Sequence, residues 1–417
     1  MSLNLAFEQL PARCDVLVVG AGPAGSAAAR TLAAAGVDVV LVDQHAFPRD
    51  KVCGDGLIPD AHNAMRKLGV LDDVMGQAQR ATHLACIGPR GGHIDIAGTL
   101  SVLPRKQLDL ILCRAAAAAG AKMFAPARFL APIEEERDGV RRVVGARLQS
   151  GKLTRDVHAD WLLLASGAVP QALQAAGMCE RRTPSAIALR GYVKNAAMSE
   201  RIKRLEVLWH GEIKSGYGWV FPCGDGLFNV GVGVMHSHAK GDMGRDMSQI
   251  NLRGMLQTFA RVYPPAHELI AGGTWVGEPK GAPLRCSLDG ARFSRPGLIV
   301  TGEAAGATYA FTGEGIGKAL ETGLLAAEAV IEGRAGRRSD AEVRAGYEAR
   351  LLALRPRYAV YEKANSVNSH PWLVDLLVWS ARRSPSRLAR MSAVLEETHL
   401  PRNPLTPRGL MRLVFER

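Results

Sequence analysis

The most constraining stretch of this chain is Cys14-Asp-Val-Leu-Val-Val-Gly-Ala-Gly-Pro-Ala-Gly25. Its continuous apolar run reads as a strand buried on both faces and ends at a glycine turn. The alanine-rich segment that follows, to about Ala35, reads as a helix with Gly36 at its C-cap. Val37-Asp-Val-Val-Leu-Val42 then reads as a second buried strand with Asp43 at its end. Strand, glycine turn, helix, strand and acid in that order form a dinucleotide-binding unit. Gly20 permits the tight turn, Gly22 lets the backbone approach a pyrophosphate, and Gly25 lets the helix pack closely on the strand. The helix N-terminus offers unpaired N–H groups to the phosphates, and Asp43 can accept from ribose hydroxyls. Gly20, Gly22, Ala24, Gly25 and Asp43 are therefore candidate cofactor-binding residues.

The remaining chain is long enough for further domains, at 417 residues with 47% hydrophobic content. A helix is expected over 59–68 and short strands over 84–96. A second helix follows Arg105, with Leu108, Ile111, Leu112 and Ala115 on one face. Strands are expected at 142–148, 153–157 and 161–165. Those at 187–193, 206–209, 218–221 and 227–234 alternate, as in an antiparallel sheet. A further buried strand at 297–301 runs into Gly302-Glu-Ala-Ala-Gly306, and Phe311-Thr-Gly-Glu-Gly-Ile316 opens a helix to about Ile331; helices complete the chain. The expected division is a discontinuous cofactor domain (13–80, 102–182 and 281–337), a sheet domain for substrate (81–101 and 183–280), and a C-terminal helical region (338–417).

Seven scattered cysteines with no CxxC pair suit a reduced, cytoplasmic protein rather than a disulfide framework. No apolar run reaches the ~18 residues of a membrane span. The charge is +12, from 52 Lys and Arg against 40 Asp and Glu, and half of it lies in 338–417, with 14 basic and 8 acidic residues. Without zinc spacing, an RNP-like aromatic box or a Lys/Arg block, that charge does not indicate nucleic acid. It suits an anionic membrane surface, with peripheral attachment there, or an acidic protein partner; a solvated helix face is the plain alternative.

The second glycine-rich strand-to-helix unit argues for FAD, whose ribityl-phosphate and ring end need another anchor. The order of motifs resembles the flavoprotein superfamily of aromatic hydroxylases, flavin halogenases and geranylgeranyl reductases. The geranylgeranyl-reductase branch is matched by Phe47-Pro-Arg-Asp-Lys-Val-Cys-Gly-Asp-Gly-Leu57, Gly216-Tyr-Gly-Trp-Val-Phe-Pro222, Phe228-Asn-Val-Gly-Val-Gly233 and Phe311–Ile316, with Pro371-Trp-Leu-Val-Asp375 in the tail. The resemblance implies an α/β plus α+β fold. Its parts are a Rossmann-type FAD-binding domain of the glutathione-reductase-like hydroxylase type, an antiparallel-sheet substrate domain and C-terminal helices.

By position, the resemblance adds Arg105, Gly302, Glu303, Gly313, Gly315 and Ile316 to the cofactor site; most relatives carry Asp where this chain has Glu303. It puts Cys53, Gly54 and Asp55 beside the flavin ring as catalytic candidates, with an inert buried thiol as the alternative reading of Cys53. Tyr217, Trp219, Phe221 and Pro222 become the candidate substrate pocket, with ordinary sheet aromatics as the alternative reading.

Two activities follow from the resemblance. Reduced FAD would reduce C=C bonds of a prenyl substrate, or a flavin C4a-hydroperoxide would hydroxylate an aromatic ring, either of a small molecule or of a Trp side chain on an acidic partner protein. A non-catalytic flavin-binding protein is the third reading. NAD(P)H is the expected reductant. The Asp-Gly pair that helps hydroxylases bind it is replaced by Ser166-Gly167, so a partner reductase is the alternative.

Overall fold

A computed structural model describes residues 3–137, 139–235 and 250–400. Positions 236–249 of the expected sheet unit and 401–417 of the expected helical region lie outside the described residues.

The first sheet grows from the glycine-turn unit. Arg13–Val19 and Val39–Val42 pair in parallel across the helix Pro23–Ala34. Leu153–Leu164 and then Leu298–Val300 extend the sheet on one side, and Lys122–Phe124 extends it on the other, all in parallel. Helices cover both faces, so Val16, Leu17, Val18, Leu162, Leu163 and Ile299 are fully buried. Gly25 lies where a Cβ would come 1.8 Å from the Gly20 carbonyl oxygen, which makes glycine obligatory for this helix–strand approach.

The strands expected at 153–157 and 161–165 are one continuous strand. Its first half is exposed and pairs antiparallel with Val140–Ser150, which pairs with Arg128–Arg137; its second half enters the parallel sheet. The break expected between them, at 158–160, is absent because His158 and Ala159 already pair in parallel with Arg13 and Cys14 of the first strand.

The second sheet runs Thr274–Leu284, Ala186–Lys194, Leu227–Met235, Gly216–Pro222, Leu205–Leu208, Gln79–Ile87, His93–Val102 and Gly56–Leu57. It is mixed rather than purely antiparallel: Leu205–Leu208 pairs in parallel with Gln79–Ile87, from which a long crossover separates it. Thr274–Leu284 was not foreseen, because Pro279, Pro283 and two glycines read as loop; it is an edge strand, where proline is tolerated. The helices Leu252–Val262 and Pro264–Ala271, also unforeseen, pack Leu256, Phe259, Ala266 and Leu269 on the outer face of this sheet.

The inner face carries the site. The helices Trp372–Ala381 and Pro385–Leu395 lie over it, placing Val374, Val378 and Leu395 opposite Val207, Trp209 and Trp219. The helix Ile316–Ala335 packs against Pro23–Ala34, with Gly323 where a Cβ would sit 2.2 Å from the Ala24 carbonyl oxygen.

Candidate functional site

One cavity of about 1080 Å³ runs from the glycine turn of the first sheet to the inner face of the second. That is at the upper end of the roughly 300–1,000 Å³ usual for a ligand pocket.

Its first part is a cradle. Gly20 has φ +101°, and a Cβ there would lie 2.3 Å from the Ala165 carbonyl oxygen. Gly22 is the N-cap of Pro23–Ala34, with no side chain capping it, so the first N–H groups of that helix are not capped by a protein side chain. Asp43 accepts from the Ala21 N–H at 3.0 Å through one oxygen and from the His45 N–H at 3.0 Å through the other. Two guanidiniums converge here: Nη2 of Arg105 and Nη2 of Arg49 lie 3.8 and 3.9 Å from the Cβ position of Gly22.

Asp109 holds both. It takes Nε and Nη2 of Arg105 at 2.6 and 2.7 Å and Nη1 of Arg49 at 3.0 Å, while Arg49 also reaches Asp43 at 3.3 Å. The cradle fits a dinucleotide pyrophosphate: open backbone, a positive helix end and two fixed cations. The buried Ser166 Oγ, on the same wall, has no hydrogen-bond partner in the protein, as a group reserved for a ligand would.

The second part is the Cys53-Gly-Asp-Gly56 loop, clamped onto the second sheet. Asn229 Nδ2 donates to the Cys53 carbonyl and to Asp55 Oδ2, both at 2.8 Å, and its Oδ1 accepts from Trp219 Nε1 at 2.9 Å. Arg190 donates to the carbonyls of Cys53 and Lys51 and pairs with Asp50 at 2.6 Å. Asp55 is fully buried with φ +64°, takes the Tyr192 hydroxyl at 2.5 Å and accepts from the Arg105 N–H at 3.2 Å. Burial pushes its carboxyl up to about 6, against the opposing pull of Tyr192, Arg190 and Asn229.

The third part is apolar. Rings of Phe311, Trp209, Tyr217, Trp219 and Phe221 follow one another at centroid spacings of 6.3, 5.7, 6.1 and 6.4 Å. Gly231 makes room for this wall, since a Cβ there would lie 2.2 Å from Trp219 Cζ2. The C-terminal helices close the opposite side with Val374, Val378 and Leu395. Tyr217 donates to the Thr312 carbonyl at 2.5 Å, tying the wall to the Thr312–Ile316 turn.

Of the candidate residues, Gly20, Gly22, Ala24, Asp43, Arg105, Glu303, Gly313, Gly315, Ile316, Cys53, Gly54, Asp55, Tyr217, Trp219 and Phe221 all line this cavity. Gly25 and Gly302 lie behind it as spacers; a Cβ on Gly302 would meet that of Ala24 at 2.5 Å. Pro222 does not belong to the pocket wall. Alternation along Gly216–Pro222 turns it to the face of Val220, away from Tyr217, Trp219 and Phe221.

Sequence reasoning passed over Arg49, Asp109, Arg190 and Asn229. Arg49 and Asn229 stood inside matched motifs, but nothing local marked their roles; Arg190 on an alternating strand reads as a solvent-facing residue.

A family model described as an FAD binding domain matches residues 13–225. A menaquinone reductase of Mycolicibacterium smegmatis is 34% identical over 337 residues, covering 77% of each chain. A digeranylgeranylglycerophospholipid reductase of Methanosarcina mazei is 31% identical, covering 76% of this chain and 75% of its own. Among solved structures, a geranylgeranyl bacteriochlorophyll reductase-like protein of Thermoplasma acidophilum superposes with a TM-score of 0.78 at 22% identity, over 96% of this chain and 99% of that one. A flavin-dependent brominase gives 0.72 at 18%, over 96% and 97%. At these identities the structures speak for the fold alone.

Proposed function

Because this chain belongs to the FAD-binding-domain family, in its geranylgeranyl-reductase-like branch, we propose that it reduces C=C bonds in prenyl chains, those of a prenyl diphosphate as well as those carried by a lipid or quinone. It is an FAD-dependent oxidoreductase, and the bound cofactor, once reduced, supplies the hydride. The observation that carries the reading is the continuity of the cavity: the pyrophosphate cradle opens directly into an aromatic and aliphatic chamber suited to an extended hydrocarbon. In that reading, Arg49, Arg105 and the first turn of Pro23–Ala34 hold the phosphates, and Gly313–Ile316 and Cys53–Asp55 border the ring. Tyr217, Trp219 and Phe221 line the prenyl path and keep water from the reacting bond. NAD(P)H or a partner reductase restores the cofactor.

Delivery from a membrane surface is part of the same proposal. No helix among the described residues is long and apolar enough to cross a membrane. Trp372 and Trp379 nevertheless stand 51% and 40% exposed, two turns apart on the helix that roofs the chamber, with Arg383 stacked 4.3 Å over Trp379. Basic and aromatic groups together suit an anionic lipid interface.

The test is product analysis. Reduced holoenzyme incubated without oxygen with geranylgeranyl diphosphate should yield a product heavier by two hydrogens. The same incubation in heavy-isotope oxygen should leave the product free of label. Label in the product, or an unchanged prenyl chain, contradicts the proposal.

A further inference from the structure

We infer that the Glu314 carboxyl is the proton donor of the reduction, a conclusion that rests on the reading of this site as a prenyl reductase. Glu314 sits at the centre of the Phe311-Thr-Gly-Glu-Gly-Ile316 turn and lines the cavity beside Tyr217 and Phe311. Its Oε2 is shut off from solvent and makes no hydrogen bond within the protein, whereas the neighbouring carboxylates of Asp60 and Glu397 both meet Lys318. A carboxyl held this way at a reaction cavity is a group kept for a partner that arrives with substrate.

Its surroundings favour the protonated form. Around Glu314 lie Asp60, from the helix Pro59–Lys67, and Glu397, from the segment after Pro385–Leu395. Lys318, in the first turn of the helix Ile316–Ala335, is the opposing cation, but it is already shared by Asp60 at 3.2 Å, Glu397 at 3.0 Å and Glu321 at 3.5 Å. Arg357 is taken up by Glu397 at 3.4 Å, and the other facing groups, Tyr217 and Tyr361, are neutral phenols. Burial, reinforced by Asp60 and Glu397 and opposed by Lys318 and the Thr312 side chain, raises Glu314 to about 8, so the acid is loaded at neutral pH. The side chain of Glu397 retains some solvent contact and touches Lys318, which offers a route for reprotonation.

The balance is simple. The alkene takes a hydride at one carbon from the reduced cofactor and a proton at the other from Glu314. The π bond is replaced by two C–H bonds, the cofactor leaves oxidised by two electrons, and the Glu314 carboxylate regains its proton from water. Dithionite supplies the electrons in the test.

Two measurements decide it. In infrared difference titration of the FAD-loaded protein without substrate, a protonated carboxyl band should disappear as pH rises through about 8, and Glu314→Gln should lack it. If wild type shows no such band, Glu314 is not the stored acid, whatever the variant does. In anaerobic single turnover with dithionite-reduced holoenzyme and geranylgeranyl diphosphate, the wild-type rate should fall above about pH 8. Glu314→Gln should keep its FAD, be roughly 100-fold slower or more, and lose that pH dependence, and Glu314→Asp should recover part of the rate. Equal rates in wild type and Glu314→Gln overturn the donor role while leaving the reductase reading intact. A wild-type enzyme that leaves the prenyl chain unchanged overturns the reductase reading, and the donor role with it.

Discussion

Arg105 lays its guanidinium across both oxygens of Asp109, one turn further along the buried face of the helix Arg105–Ala118, at 2.6 and 2.7 Å. The carboxylate also receives Arg49, so one acid orients both cations that face the Gly22 turn. Removing one member of a buried ion pair leaves an uncompensated charge, at a cost of about 3–5 kcal/mol. Asp109→Ala should therefore lower the thermal midpoint sharply and weaken FAD retention, read by calorimetry and by flavin content after gel filtration. Retention equal to wild type would mean that these arginines do not hold the phosphates.

The two glycines of the first turn should fail in different ways. A Cβ on Gly22 meets nothing closer than 3.8 Å, so Gly22→Leu should fold but fill the pyrophosphate space and purify without flavin. A Cβ on Gly25 would strike the Gly20 carbonyl oxygen at 1.8 Å, so even Gly25→Ala should lose stability and expression. Full flavin content in Gly22→Leu would place the phosphates elsewhere.

Asp55 makes stability depend on pH. Its native carboxyl is raised to about 6 from the ordinary 3.8, so the favourable, protonated state is complete below pH 3.8 and is lost as pH rises through 6. Asp55→Asn carries no such penalty. The stability difference between variant and wild type should move in the variant's favour by up to about 3 kcal/mol between pH 4 and pH 7. A pH-independent difference, measured by urea unfolding, would show that Asp55 ionises as it does in the unfolded chain.

Val378 projects from the roof helix into the chamber opposite the aromatic wall. Val378→Phe should shorten the prenyl path while sparing the cradle. FAD content should match wild type, whereas kcat/KM for geranylgeranyl diphosphate should fall roughly tenfold or more, and less for a shorter prenyl diphosphate. An equal loss for both lengths would put the chain elsewhere.

The cradle was legible because its chemistry is local. Gly20, Gly22 and Asp43 lie within one strand–helix–strand unit, the glycines marked by the turn and the close backbone approach and the acid by its place at the end of the second strand. The chamber was only half legible: alternation identified Tyr217, Trp219 and Phe221 as one face, but the same alternation excludes Pro222. What stayed hidden depends on tertiary contact. Asn229 and Arg190 clamp a loop more than 130 residues away in sequence, and Glu314 is distinctive for a bond it does not make. The strand Thr274–Leu284 was masked by prolines that only an edge position tolerates.

Rapid mixing of reduced holoenzyme with geranylgeranyl diphosphate under nitrogen tests most directly whether the cradle and the chamber form one reductase site. The yellow colour of oxidised flavin should return at a rate that saturates with prenyl concentration, with one double bond saturated for each flavin reoxidised. Colour that returns only when air is admitted, with the prenyl chain intact, would contradict it.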